Sequence, residues 1–319
     1  MNIKSWLKAA RLRTLPLAAT CVLLGGALAK AEGLDAAGDV RFGPVVLGAL
    51  LTVSLLQILA NFANDYGDFS KGTDVAAGRL DRALASGDIS PSSMKKALAW
   101  TALLALLAGL STLAIAFVPG LLPGSLNTNF EALKMGTLGV LGVAGIAAAI
   151  RYTVGKQAYG YQGLGDVYVM LFFGFVGVLG VGLLVRHDVS ATWLLPALFS
   201  GCMSVAVLNL NNLRDHESDA VAGKKTTVVR LGFQGGKIYH LILLAAGWSA
   251  LGLFFMGPWN NGAWHGTMWY ALLALLHARH AVDVWRCQDP AALDPELKRI
   301  ALSTFLVALF MFMDQTIGA

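Results

Sequence analysis

The chain has 319 residues, 56% of them hydrophobic and only 13% charged, and its mean hydropathy is +0.63. A soluble chain normally carries about a quarter charged residues, so the composition excludes an ordinary soluble globular protein and points to an all-α polytopic membrane protein forming one domain. The net charge of +5 is read as a mark of membrane sidedness, with no nucleic-acid partner, because the basic residues are gathered between long apolar runs.

A helix needs about 20 largely apolar residues to cross a bilayer. Stretches that meet this need fall at 14–31, 43–63, 97–118, 133–150, 167–185, 192–212, 238–257, 264–284 and 299–316, which predicts nine transmembrane helices. The basic head and apolar middle at the start are compatible with a secretory signal. The length of the apolar stretch and the eight spans after it favour an uncleaved first span. The eighth span is the least apolar, with His277, Arg279, His280 and Asp283 in its second half.

With the N-terminus inside, the outer loops carry Lys30, Arg41, Lys134 and Arg186 alone, leaving 20 of the 24 basic residues inside. That asymmetry follows the positive-inside rule and depends on keeping the eighth span. Arg11 and Arg13 are then read as sidedness anchors. Cys21, Cys202 and Cys287 show no metal-ligand or disulfide spacing, and His277 with His280 is read as an ordinary helix end.

The second span ends in NFANDYGDFSKGTD, Asn61 to Asp74, and the sixth ends in NLNNLRDHESDAVAGKK, Asn209 to Lys225. Asn211 and Asp215 lie 150 residues after Asn61 and Asp65, with the same spacing of four, and a Lys-Gly or Gly-Lys pair follows each motif. The pattern implies an internal repeat of four helices with an acid-rich cytoplasmic loop, plus a ninth helix.

On a helix, Asp65 with Asp68 and Asp215 with Asp219 each share one face, where like charges repel. Two such pairs at one membrane depth suit hard divalent cations, and magnesium is usually held by a few carboxylates together with a substrate phosphate. Asn61, Asn64, Asn211 and Asn212 supply amide groups for metal or phosphate, while Lys71, Arg82, Arg214, Lys224, Lys225 and Arg230 supply cations for a polyanion. Solvated loop charge would explain one acid pair, but it explains two matching pairs poorly. A diphosphate at the edge of an apolar bundle implies an isoprenoid donor whose tail lies among helices or lipid.

These motifs resemble the UbiA superfamily of intramembrane prenyltransferases, and within it the branch that accepts 1,4-dihydroxy-2-naphthoate. The resemblance rests on RLRTLPLA (Arg11–Ala18), the Asn61–Asp74 motif, RALASGDI (Arg82–Ile89), YTVGKQAYGYQGLGD (Tyr152–Asp166) and VLNLNNLRDHESDAVAGKKTTVVRLG (Val207–Gly232). It covers the chain from near residue 10 to at least 240, while the last two helices match only in apolar character.

The resemblance implies a nine-helix bundle and transfer of a polyprenyl group to the aromatic acceptor with loss of carbon dioxide. It implies that Asp65, Asp68, Asp215 and Asp219, helped by Asp74, hold magnesium as two ions. Asn64, Lys71, Arg82, Arg214 and Lys225 are then expected on diphosphate oxygens. The Tyr152–Asp166 loop is expected over the acceptor, with Tyr152, Lys156, Tyr159 and Asp166 as its contacts and Lys156 on the acceptor carboxylate. It further implies menaquinone synthesis in the bacterial inner membrane, with the site facing the cytoplasm.

The sequence departs from the superfamily pattern at Gly72, where a third acid is common, and it lacks a Gly-Pro before Arg82. The first departure is shared with the naphthoate branch. Two alternatives remain: a 4-hydroxybenzoate acceptor and, outside the enzymes, a secondary transporter. The latter fits poorly, because transporter ligands sit near the bilayer midplane. Prenyl length and oligomeric state leave no motif.

Overall fold

The computed structural model describes residues 3–73, 82–118, 128–257, 264 and 267–317. Every regular element among them is helical. A short α1 (Ile3–Ala10) precedes α2 (Leu15–Ala31), α3 (Ala36–Ser70), α4 (Pro91–Phe117), α5 (Thr128–Arg151) and α6 (Gly165–Arg186). Then come α7 (Leu194–Val221), α8 (Thr227–Met256), α9 (Thr267–Arg286) and α10 (Asp294–Thr316). A helix overlies each of the nine predicted stretches.

Among the described residues, seven helices are long and apolar enough to cross a membrane: the α1–α2 segment and α3 to α8. The last two helices fall outside that set, since α9 carries the histidines and charges noted above and α10 opens with Asp294, Glu296, Lys298 and Arg299. The outward faces of α4 and α5 present Leu103, Leu104, Leu107, Val140 and Val143, all exposed, as lipid-facing surfaces do.

The principal core is built where α2, α7, α8 and α10 meet, around Leu24, Leu28, Phe199, Met203, Leu210, Leu251, Val307 and Met311. Small residues set the close approaches. A Cβ on Gly25 of α2 would stand 2.4 Å from the Val178 carbonyl oxygen of α6. The segment Met170–Val176 within α6 is π-helical, and Ser200 Oγ of α7 donates to the Phe173 carbonyl at 2.7 Å. The wide turn turns Phe172, Phe173 and Val176 towards the interior, an arrangement seen frequently at functional sites.

Polar contacts fasten the C-terminal helices to the rest. His280 of α9 lies between His240 of α8, with a 2.9 Å ring-nitrogen separation, and Glu296 of α10 at 2.6 Å. Lys237, 1% exposed, donates to the carbonyls of Trp285 and Cys287 and so caps the end of α9. His277 and His280 are therefore buried interhelical groups rather than a simple helix end.

At one end of the bundle, Arg186 pairs with Glu32 and Lys134 with Glu131, while Trp193 Nε1 donates to Glu32. At the other end, α1 packs through Ala9 and Ala10 against Phe62, Ala83, Leu84 and Met94. Trp6 meets Phe62 edge to face at 5.7 Å. This second end carries the acid motifs.

Candidate active site

Among the described residues, both acid pairs lie on helices rather than in loops. At 35 residues, α3 extends to about 50 Å and outlasts the ~30 Å hydrocarbon core, so Asp65 and Asp68 ride on its last turns. Asp215 and Asp219 ride likewise on α7. The helices continue because each motif turns its acids and asparagines inward: Asn61, Asp65, Asp68, Asn212 and Asp219 are all buried.

Glycines make this possible. A Cβ on Gly67 would lie 2.6 Å from Thr153 Cβ, and Thr153 Oγ1 donates to the Ala63 carbonyl at 2.8 Å. Gly223 has φ +73 and turns the chain after α7, so that Lys224 N bonds the Asp219 carbonyl and the side chain folds back over both motifs.

Each site acid faces a cation. Asp65 accepts from Arg11 and from Arg82, the latter at 3.0 Å. Lys224 Nζ stands 3.3 Å from Asp68 and 3.4 Å from Asp219, joining the two motifs through one ammonium. Asp215 is gripped by Arg214 through Nε and Nη2, both at 2.9 Å. Arg11, read from the sequence as a sidedness anchor, thus also contacts a candidate site acid. Local sequence pattern does not reveal this contact, because the partner lies 54 residues away.

Tyr161 ties the arrangement together. Its hydroxyl donates to Asp68 at 2.6 Å and lies 3.1 Å from Thr73 Oγ1. Its ring lies beneath Lys71 Nζ, 3.5 Å from the centroid, and 5.0 Å from Lys224 Nζ. Burial pulls the Lys71 ammonium below the ordinary lysine range, with Asp68 opposing that shift and Lys224 adding to it.

The loop carrying Tyr161 is clamped to the one after α7. Lys225 N donates to the Tyr161 carbonyl at 2.9 Å and Arg230 Nη2 to the Gln162 carbonyl at 2.7 Å. Asp166 accepts from Thr227 Oγ1 at 2.6 Å.

Beneath these charges lies a cavity of about 420 Å³. Its polar end is walled by Arg11, Arg13, Asn61, Asn64, Arg82, Asn211, Arg214 and Lys298. Its aromatic shoulder is Tyr152, Tyr159 and Tyr168, the last two rings stacked at 3.8 Å. Burial raises the Tyr152 and Tyr159 phenols well above their usual range, so they remain neutral donors. The rest of the wall is apolar, through Leu106, Leu113, Leu138, Phe172, Val181 and Leu184.

The four carboxylates stand outside this wall, and the arginines paired with Asp65 and Asp215 form part of it. Lys156 and the Lys225 side chain are exposed and also outside it. Asp74 lies outside the described residues.

Among the described residues, no three acid, histidine or cysteine side chains converge on one point. Carboxylates from both motifs nevertheless share one cation, the Lys224 ammonium. A hard-oxygen donor set that already brackets a positive charge fits magnesium.

The model of the UbiA prenyltransferase family matches residues 18–302. The chain belongs to the UbiA prenyltransferase family. As a UbiA-family chain it is 39% identical to the 1,4-dihydroxy-2-naphthoate octaprenyltransferase of Haemophilus influenzae, over 99% of this chain and 97% of the relative. It is 40% identical to the enzyme of the same name from Escherichia coli, over 98% and 96%.

In fold, this UbiA-family chain resembles a UbiA homolog from Archaeoglobus fulgidus solved with DMAPP and Mg2+. The TM-score is 0.57 and the identity 16%, with 98% of this chain and 99% of that one covered. The membership identifies a prenyltransferase and removes the transporter alternative.

Proposed function

We propose that the chain transfers a polyprenyl group from a polyprenyl diphosphate to 1,4-dihydroxy-2-naphthoate, with loss of carbon dioxide, giving demethylmenaquinol. The observation that carries this reading is the pair of acid-bearing helix ends bridged by Lys224 over a long apolar cavity. The choice of acceptor rests on the naphthoate enzymes that the chain matches along nearly its whole length, and no feature of the site favours 4-hydroxybenzoate instead.

Arg82, Arg214, Lys71, Lys224 and Lys225, with Asn61, Asn64, Asn211 and Asn212, hold and orient the diphosphate. Asp65, Asp68, Asp215 and Asp219, with Asp74, would hold magnesium as two ions, whose positive charge would make the diphosphate a better leaving group. The allylic carbon–oxygen bond breaks with its electron pair leaving on the diphosphate. The stacked rings of Tyr159 and Tyr168, beside Tyr152, offer π faces to the allylic cation and keep water away from it. The acceptor carbon bearing the carboxylate attacks that cation, and the carboxylate then departs as carbon dioxide. Tyr152, Tyr159, Asp166 and Lys156 position the acceptor, Lys156 through its carboxylate.

The apolar cavity takes the first part of the prenyl tail. In this reading α2 to α10 form nine spans of a bacterial inner membrane, built as two four-helix repeats and a ninth helix, with the N-terminus and the site on the cytoplasmic side. The test is mass-spectrometric analysis of lipid extracts after the purified protein has been incubated with both substrates. A prenylated, decarboxylated naphthoquinol supports the proposal, whereas unaltered substrates beside folded protein oppose it.

A further inference from the structure

Arg214 uses its guanidinium on three partners at once. Nε and Nη2 bond Asp215, Nη2 also reaches Asn211 Oδ1 at 3.2 Å, and Nη1 donates to Asp294 Oδ1 at 2.6 Å. Asp294 opens α10, 80 residues further along the chain. Its second oxygen lies 3.4 Å from Arg13, at the turn into α2. One carboxylate from α10 therefore holds two arginines of the cavity wall.

The electrostatics give this contact a consequence. Arg214 takes one lone pair on each oxygen of Asp215 and neutralises its charge, so a divalent cation that chelates Asp215 competes with the arginine. A guanidinium without another anion resists that separation. A second carboxylate on the opposite edge keeps Arg214 fixed and facing the cavity after Asp215 has turned to the metal. We propose that Asp294 is a positioning residue that anchors Arg214, so that Asp215 can exchange its arginine for magnesium when the diphosphate enters. This inference rests on the two-motif reading of the site.

The pair is partly exposed, with side-chain exposures of 18% for Arg214 and 46% for Asp294, so its removal acts at the modest end of ion-pair effects. In detergent-solubilised full-length protein, Asp294→Asn is expected to raise the magnesium concentration that half-saturates binding of a non-hydrolysable prenyl thiodiphosphate by roughly three- to tenfold. Binding is read by titration calorimetry without acceptor. Asp294→Glu, which keeps the charge, restores most of that loss, while kcat at saturating magnesium changes far less than the half-saturation point.

An unchanged half-saturation point in Asp294→Asn, with or without a fall in Tm, overturns the inference and leaves Asp294 a helix-docking residue. Equal loss in Asp294→Glu and Asp294→Asn also overturns it. If the wild-type protein binds the thiodiphosphate without any dependence on magnesium, the underlying reading of the acid pairs fails instead.

Discussion

Replacing Tyr161 by phenylalanine removes one hydroxyl and keeps the ring. The lost group donates a 2.6 Å bond to the Asp68 carboxylate. Such charge-assisted bonds contribute about 1.5–3 kcal/mol. The site is only partly enclosed, and water recovers some of the loss, which leaves about 1–2 kcal/mol, or roughly five- to thirtyfold. The ring still lies under Lys71, so the ammonium keeps its place.

Tyr161→Ala removes that platform as well, and the cation–π contact adds about 0.5–2 kcal/mol. The assay is kcat/KM for the polyprenyl diphosphate at saturating acceptor across a magnesium series. Phenylalanine is expected to lower it roughly tenfold and alanine clearly further, with the deficit concentrated at low magnesium. Both variants within twofold of wild type would refute the claim that Tyr161 orients Asp68 and Lys71.

Asp68→Asn and Asp219→Asn are each expected to lower turnover at least about a hundredfold, on the several-kcal/mol scale of lost metal stabilisation; wild-type rates in either, with normal expression, would remove the two-metal arrangement. Lys156→Ala is expected to raise the KM of the acceptor more than that of the donor. An unchanged acceptor KM would move the carboxylate to another cation, with Arg13 and Lys298 in the cavity wall the first to examine. Gly67→Ala is expected to cost about 1–3 kcal/mol of stability through overpacking against Thr153; it should also displace Asp68, so an unchanged Tm with full activity would contradict the close helix–loop contact.

Much of the architecture is legible from local pattern alone. Hydropathy marks the spans, because lipid contact requires long apolar runs, and the i, i+3 and i, i+4 spacings place each acid pair on one helix face. The end of α3 is less legible. The apolar signal stops where lipid stops, near residue 63, yet the helix continues to Ser70 because its inward face is buried against Thr153 and Tyr161. The same limit leaves the end of α7, at Val221, outside the apolar signal.

The site contacts that went unread join residues far apart in sequence: Arg11 to Asp65, Tyr161 to Asp68, Arg214 to Asp294. Tyr161 stood inside a recognised motif, but its role depends on a loop that lands between α3 and α7, which periodicity does not encode. Asp294 carried no signal at all, being one acid at an ordinary helix start. His277 and His280 look like a helix end in sequence, and only the packing of α8 and α10 shows them enclosed.

The most direct test gives purified, detergent-solubilised protein magnesium, a polyprenyl diphosphate and carboxyl-labelled 1,4-dihydroxy-2-naphthoate, beside matched tubes with 4-hydroxybenzoate and with EDTA. The account predicts a prenylated lipid product and released labelled carbon dioxide from the naphthoate alone, both abolished by EDTA. Product from the benzoate alone, or product that survives removal of the metal, would contradict it.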